Sequence, residues 1–237
     1  MTNNHIVSHL VELRDRLLRS ILAVLVLTVI LLPFSNDLYH ILSQPLLQHL
    51  PDNNTMIATE VASPFFTPFK LTLFIAVMLA IPILLYQIWG FVAPGLYDNE
   101  KRLVFPLLFV STSLFFLGIL FAYFAVFPIV FGFFAQAAPE GVAVMTDISS
   151  YLDFVLKLFF AFGIAFEVPI ATLLVIWSGA STVASLAEKR PYIIVGAFII
   201  GMLLTPPDVI SQTLLAVPVW LLFELGLLAA RWLPAKE

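Results

Sequence analysis

Residues 104–133 read VFPLLFVSTSLFFLGILFAYFAVFPIVFGF, a run without one charged side chain. A helix of that length rises about 45 Å, whereas the hydrocarbon core of a bilayer is about 30 Å thick and is spanned by roughly 20 apolar residues. The run therefore reads as a transmembrane helix, and the rest of the chain agrees. Of 237 residues 61% are hydrophobic and 11% charged, with a mean hydropathy of +1.04, against about one-quarter charged in soluble domains. Lipid is the solvent of this fold.

Outward from that run, further spans are predicted near 20–34, 71–91, 154–177, 192–205 and 209–229. The expectation is an all-α integral membrane protein, one polytopic domain of six helices over 1–237. Ahead of the first span, Ile6, Leu10, Leu13 and Leu17 recur at steps of four and three, a helical stripe expected to lie along the membrane surface. Polar stretches at 35–68 and 136–153 separate the first from the second span and the third from the fourth. The last two spans are short. Only 14 residues lie between Pro191 and Pro206, and the final apolar run stops at Phe223, before Glu224, which predicts a locally thinned bilayer around this hairpin.

Arg14, Arg16, Arg19, Lys101, Arg102, Lys189, Arg190, Arg231 and Lys236 all fall on one side of these spans, and the opposite loops are acidic. By the positive-inside rule the basic side is cytoplasmic, and six spans place both termini there. Glu12 and Asp15 interrupt the N-terminal arginines and no small-residue cleavage site follows at 33–36, so the first span is expected to be retained rather than removed as a signal peptide.

Several function classes are excluded. The chain has no cysteine, hence no thiol chemistry or disulfide. A net charge of −4 with scattered basic pairs does not suit nucleic acid. No phosphate-binding glycine loop or membrane-protease signature occurs. The four histidines divide between the two sides, His5 and His9 on one, His40 and His49 on the other, so neither metal nor cofactor is expected.

The polar residues inside or beside the spans are the functional candidates. Glu167, in FGIAFEVP at 162–169, lies about 20 Å into the fourth span, where an uncompensated charge costs at least about 2.5–3.5 kcal/mol. It must be paired, wet or protonated. Pro169 offers no N–H to the Ala165 carbonyl, so the helix should kink there and expose a polar backbone group beside the carboxyl. Glu12 with Arg16 and Asp15 with Arg19 have the i,i+4 spacing of surface ion pairs. Glu100 lies in a short basic-side loop, Asp208 stands where it can N-cap the last helix, and Thr205 and Gln212 are polar residues able to hold a partner helix.

Three segments, His9-Leu10-x-Glu12-Leu13-Arg14-x-Arg16-Leu17, Pro94-Gly95-Leu96-Tyr97-x-x-Glu100-Lys101-Arg102 and Phe162-Gly163-x-x-Phe166-Glu167-x-Pro169, together with Thr205-Pro206-Pro207-Asp208, resemble the TatC family over essentially the whole chain. One departure is His5-Ile6, where many members have Pro-Leu. The resemblance implies a core subunit of the twin-arginine protein translocase in the bacterial inner membrane, with a concave groove. It implies binding of the twin-arginine signal peptides of folded preproteins, and work with single-span TatA and TatB and further copies of itself, driven by the proton-motive force. By that resemblance Glu12, Arg14 and Glu100 match positions for signal-peptide recognition. Glu167 matches an acidic position of the concave face and Asp208 one of the outer edge. Phe91 and Leu96 are candidates for apolar contact, and Pro45 belongs to an outer loop expected to cap the groove. No catalytic residue is expected. The alternative is a proton-coupled small-solute transporter using Glu167 as its relay.

Overall fold

Helices account for every described element except one pair of bridged residues. The computed structural model describes residues 2–47, 56–92, 104–136, 145–204 and 209–232, excluding the side chains at 2–10, 45, 46, 89, 91, 92, 104 and 135. Two compact units form, Met1–Leu42 with Glu60–Thr112 and Ser43–Thr59 with Ser113–Glu237.

The first unit is built on α1 (Thr2–Leu31) packed along α3 (Ser63–Val92). No glycine or proline occurs in α1, so nothing interrupts it. The N-terminal stripe, expected to lie along the membrane surface, is instead the first turns of the same continuous helix as the first span. Ser20 and Thr28 are buried within it and their hydroxyls donate to the carbonyls of Arg16 (2.9 Å) and Val24 (2.8 Å). Each polar group is thus satisfied by its own helix. A 3₁₀ turn at Leu32–Phe34, with Pro33 inside it, joins α1 to α2 (Ser35–Leu47). The stretch read as polar connection therefore contains a helix of 13 residues. Pro68 and Pro82 stand inside α3.

The helices from Ser113 onward belong to the second unit. The long uncharged run forms α4 (Val104–Phe121), a π turn at Ala122–Val126 and α5 (Phe127–Gln136) in unbroken succession. It lies beside α6 (Ile148–Ala165) through ring contacts that descend both helices: Phe121 with Phe162 at 5.6 Å, Phe127 with Phe159 at 5.0 Å and Phe131 with Tyr151 at 5.3 Å. The helix pair is glycine-notched, because a Cβ on Gly163 would lie 2.6 Å from the Phe115 ring and one on Gly118 2.4 Å from the Phe162 carbonyl oxygen.

After α6 come α7 (Val168–Trp177), the short α8 (Val183–Glu188), α9 (Arg190–Leu204) and α10 (Val209–Trp232). Gly179, at φ +70°, ends the fourth span in the left-handed conformation that glycine adopts without penalty. Among the described residues five helical stretches are long and apolar enough to cross a membrane, and α9 is a shorter apolar helix. At 15 residues α9 is about 22 Å long, as short as expected. The last helix outruns its uncharged stretch, passing through Glu224 to Trp232, 24 residues in all.

Candidate functional site

Glu12 and Arg16 are one helical turn and a little more apart on α1, which puts both on one face. The Arg16 guanidinium donates through Nε (2.9 Å) and Nη2 (2.6 Å) to a single oxygen of Glu12, Oε1. Nη2 also donates to the Gly90 carbonyl at 2.9 Å, and Nη1 approaches Gln87 Oε1 at 3.5 Å. Gly90 is in the last turn of α3, where carbonyls lack intrahelical partners and the helix end carries partial negative charge. Arg16 therefore caps α3 from α1. The glycine leaves room for this placement, since a Cβ there would lie 2.3 Å from Nη1 and the guanidinium would have to shift. Glu12 Oε2 accepts no hydrogen bond among the described residues, and the acid is the more open partner, with 38% of its side chain exposed against 22% for Arg16.

The spacing foresaw the Glu12–Arg16 pair but not its link to α3. The other pair differs from expectation: Asp15 accepts from its chain neighbour Arg14, through Nε at 3.0 Å and Nη2 at 2.8 Å, rather than from Arg19. Arg14 is 65% exposed and points its charge at that acid. Glu100 and Leu96 lie outside the described residues, as does the side chain of Phe91.

In the second unit Glu167 sits in the break between α6 and α7. The Phe166 N–H donates to the Phe162 carbonyl (3.0 Å), the Glu167 N–H to that of Ile164 (3.0 Å), and the next helix starts with the Ala171 N–H on Glu167 O (2.9 Å). The interruption is where Pro169 was expected to force it, and Pro169 occupies the first turn of α7. Glu167 is half-buried, with Oε1 sealed from solvent, and Phe166 beside it packs on Phe121 at 5.6 Å. Gln212 lies on α10 against Gly201 of α9, where an added Cβ would meet the Gln212 backbone at an ordinary van der Waals distance of 3.6 Å. Thr205 and Asp208 lie outside the described residues, and so does the side chain of Pro45.

Two polar clusters of the second unit were not singled out in the sequence. Asp147 caps α6, accepting from the backbone N–H groups of Ser149 (3.0 Å) and Ser150 (2.9 Å), and its other oxygen accepts from the N–H (3.0 Å) and hydroxyl (2.8 Å) of Thr59. Beside it Ile57 and Asp147 form an isolated parallel bridge. Four donors, led by the Ser150 N–H, hold the Asp147 carboxyl well below the usual carboxylate range. An aspartate ahead of Ile-Ser-Ser and an apolar run is an N-cap signal available in the sequence, but Thr59 is not. The second cluster is Arg190 with Glu224, a two-pronged ion pair with Nε on Oε1 and Nη2 on Oε2 at 2.9 Å. Among the described residues no three His, Cys, Asp or Glu side chains converge as metal ligands would.

Residues 8–218 match the family model described as TatC, Sec-independent protein translocase protein. A protein of that name from Haemophilus influenzae is 61% identical over 232 residues, 98% of this chain and 91% of the relative. One from Escherichia coli K12 is 56% identical over 231 residues, covering 98% and 90%. A crystal structure described as the twin arginine translocase receptor TatC superposes with a TM-score of 0.83 at 40% identity, over 94% of this chain and 98% of that one.

Proposed function

We propose, since this chain belongs to the TatC family of Sec-independent protein translocase proteins, that it is the subunit of the twin-arginine translocase that receives the signal peptide. As a translocase component it is a membrane transport protein and not an enzyme. The solute-transporter alternative gains nothing from the two relatives described above, both of which carry the translocase name.

The observation that carries the receptor reading is Glu12, a carboxylate fixed through one oxygen and open at the other. A guanidinium presents a planar fork that suits such an acceptor better than the point charge of lysine. Two signal arginines call for two acids, and Glu100 is our second. An exposed pair contributes only about 0–1 kcal/mol, so the rest of the affinity comes from the apolar part of the peptide against Phe91 and Leu96. Binding weakens with salt. Glu167 polarises the cavity in which an inserted signal or partner helix lies. TatA and TatB dock as single-span partners, with Thr205, Gln212, Asp208 and Pro45 at the outer edge, and further copies of the chain complete the assembly. The protein lies in the bacterial inner membrane with both termini cytoplasmic, and the short α9 thins the bilayer beside it.

The test is photo-crosslinking of a twin-arginine signal peptide to membranes containing this chain. Labelling that needs the two arginines and is lost in Glu12→Ala and Glu100→Ala is the expected result. Labelling indifferent to both acids and to a Lys-Lys replacement overturns the reading.

A further inference from the structure

We propose that Arg16 is a positioning residue for guanidinium recognition, holding Glu12 in its receptive conformation by tying it to the carboxyl end of α3. The inference rests on the reading of Glu12 as a receptor for signal arginines.

Arg16 is doubly anchored. Nε and Nη2 hold Glu12 Oε1, while Nη2 also reaches the Gly90 carbonyl and Nη1 faces Gln87. Contacts on two helices fix the plane of a rigid five-donor group, and the carboxylate it grips is fixed with it. A ligand guanidinium then meets an acid whose side-chain entropy is already spent, the usual source of affinity through preorganisation. The acid's second oxygen is the one left for the ligand, on the more exposed member of the pair. Arg16 is not a competitor that the ligand must expel. Leaving would forfeit the Gly90 carbonyl at a helix end that favours a cation, and a glycine there clears the space that the guanidinium fills. Lysine at position 16 would keep the charge but could serve only one of the two anchors.

The experiment titrates a fluorescent twin-arginine signal peptide and its Lys-Lys counterpart onto the full chain in lipid nanodiscs, for wild type, Glu12→Gln, Arg16→Lys, Arg16→Gln and the double variant Glu12→Gln/Arg16→Gln. Both peptides are measured on the same sample, so the ratio of their affinities is independent of the folded fraction. Arg16→Lys should lower affinity for the Arg-Arg peptide by about tenfold, the scale of one charge-assisted hydrogen bond, and leave the Lys-Lys peptide nearly unchanged. Arg16→Gln should do the same, and should add nothing once Glu12 is already Gln, because Arg16 acts through that acid. If both Arg16 variants keep the wild-type preference while Glu12→Gln abolishes it, the positioning role is overturned and the receptor reading stands. Equal losses for both peptides, additive with Glu12→Gln, would make Arg16 a scaffold residue only, and tighter binding by Arg16→Gln would make it a competitor. A preference that survives Glu12→Gln removes the receptor reading, and this inference with it.

Discussion

The end of α3 and the crossing of α4 with α6 each place a glycine where an added Cβ would collide with a neighbour, and the two are crowded to nearly the same degree. A Cβ on Gly90 would lie 2.3 Å from Arg16 Nη1, and one on Gly118 2.4 Å from the Phe162 carbonyl oxygen. What blocks the space differs. At Gly90 it is the tip of a flexible side chain with water on one side. At Gly118 it is the backbone of a packed helix, with the ring of Phe166 behind it. The Glu12–Arg16 face of the first unit is held by adjustable polar contacts, and the second unit by helix axes brought close together.

Gly118→Ala is the sharpest test of that contrast. The α6 backbone must move or the new methyl must clash, and overpacking of this kind costs about 1–3 kcal/mol. A clear drop of the unfolding midpoint in nanodiscs is expected, and an unchanged midpoint would show that the crossing is loose. Next in size is Glu224→Ala, which strips Arg190 of its two-pronged partner. Because the arginine is partly exposed, the loss should be small, and Arg190→Ala should add little to it in the double variant.

Asp147 offers a test through pH. Its carboxyl is depressed in the folded state, so its contribution is complete above the unfolded value of about 3.9 and is lost as pH falls toward the folded one. Stability should be flat in this respect between about pH 6 and 8 and fall in acid. Asp147→Asn should show a shallower acid decline than wild type, and equal slopes would dismiss the Thr59 link as a stabilising contact. The smallest effect belongs to Gly90→Ala. The Arg16 tip shifts aside at a cost of a few tenths of a kcal/mol, so preference for the Arg-Arg peptide should fall by only about twofold. A stability loss as large as that of Gly118→Ala would erase the distinction between the two regions.

Much of this was legible in the sequence for a physical reason. Lipid imposes its thickness on composition, so the long spans appear as apolar runs, and the break at Glu167 appears as a proline that cannot donate. The Glu12–Arg16 pair is local, and its spacing gave it away. What could not be read depends on which helices meet. Gly90 lies 74 residues from the arginine it receives, Thr59 lies 88 from Asp147, and Glu224 lies 34 from Arg190. The continuity of α1 was missed through its change of composition from charged to apolar, which altered the environment of the helix but not its backbone. Helix α2 was hidden by neighbouring prolines.

The π turn at Ala122–Val126 gives the third span one residue more than a regular helix would use between its two halves. Each residue of an α-helix turns the side chains by about 100°, so the extra one resets the phase below it. Phe121 before the turn and Phe127 and Phe131 after it all meet α6. Removing a single residue here would tidy the helix locally and swing every ring beneath it away from its partner. Within these five positions a change of length acts as a rotation.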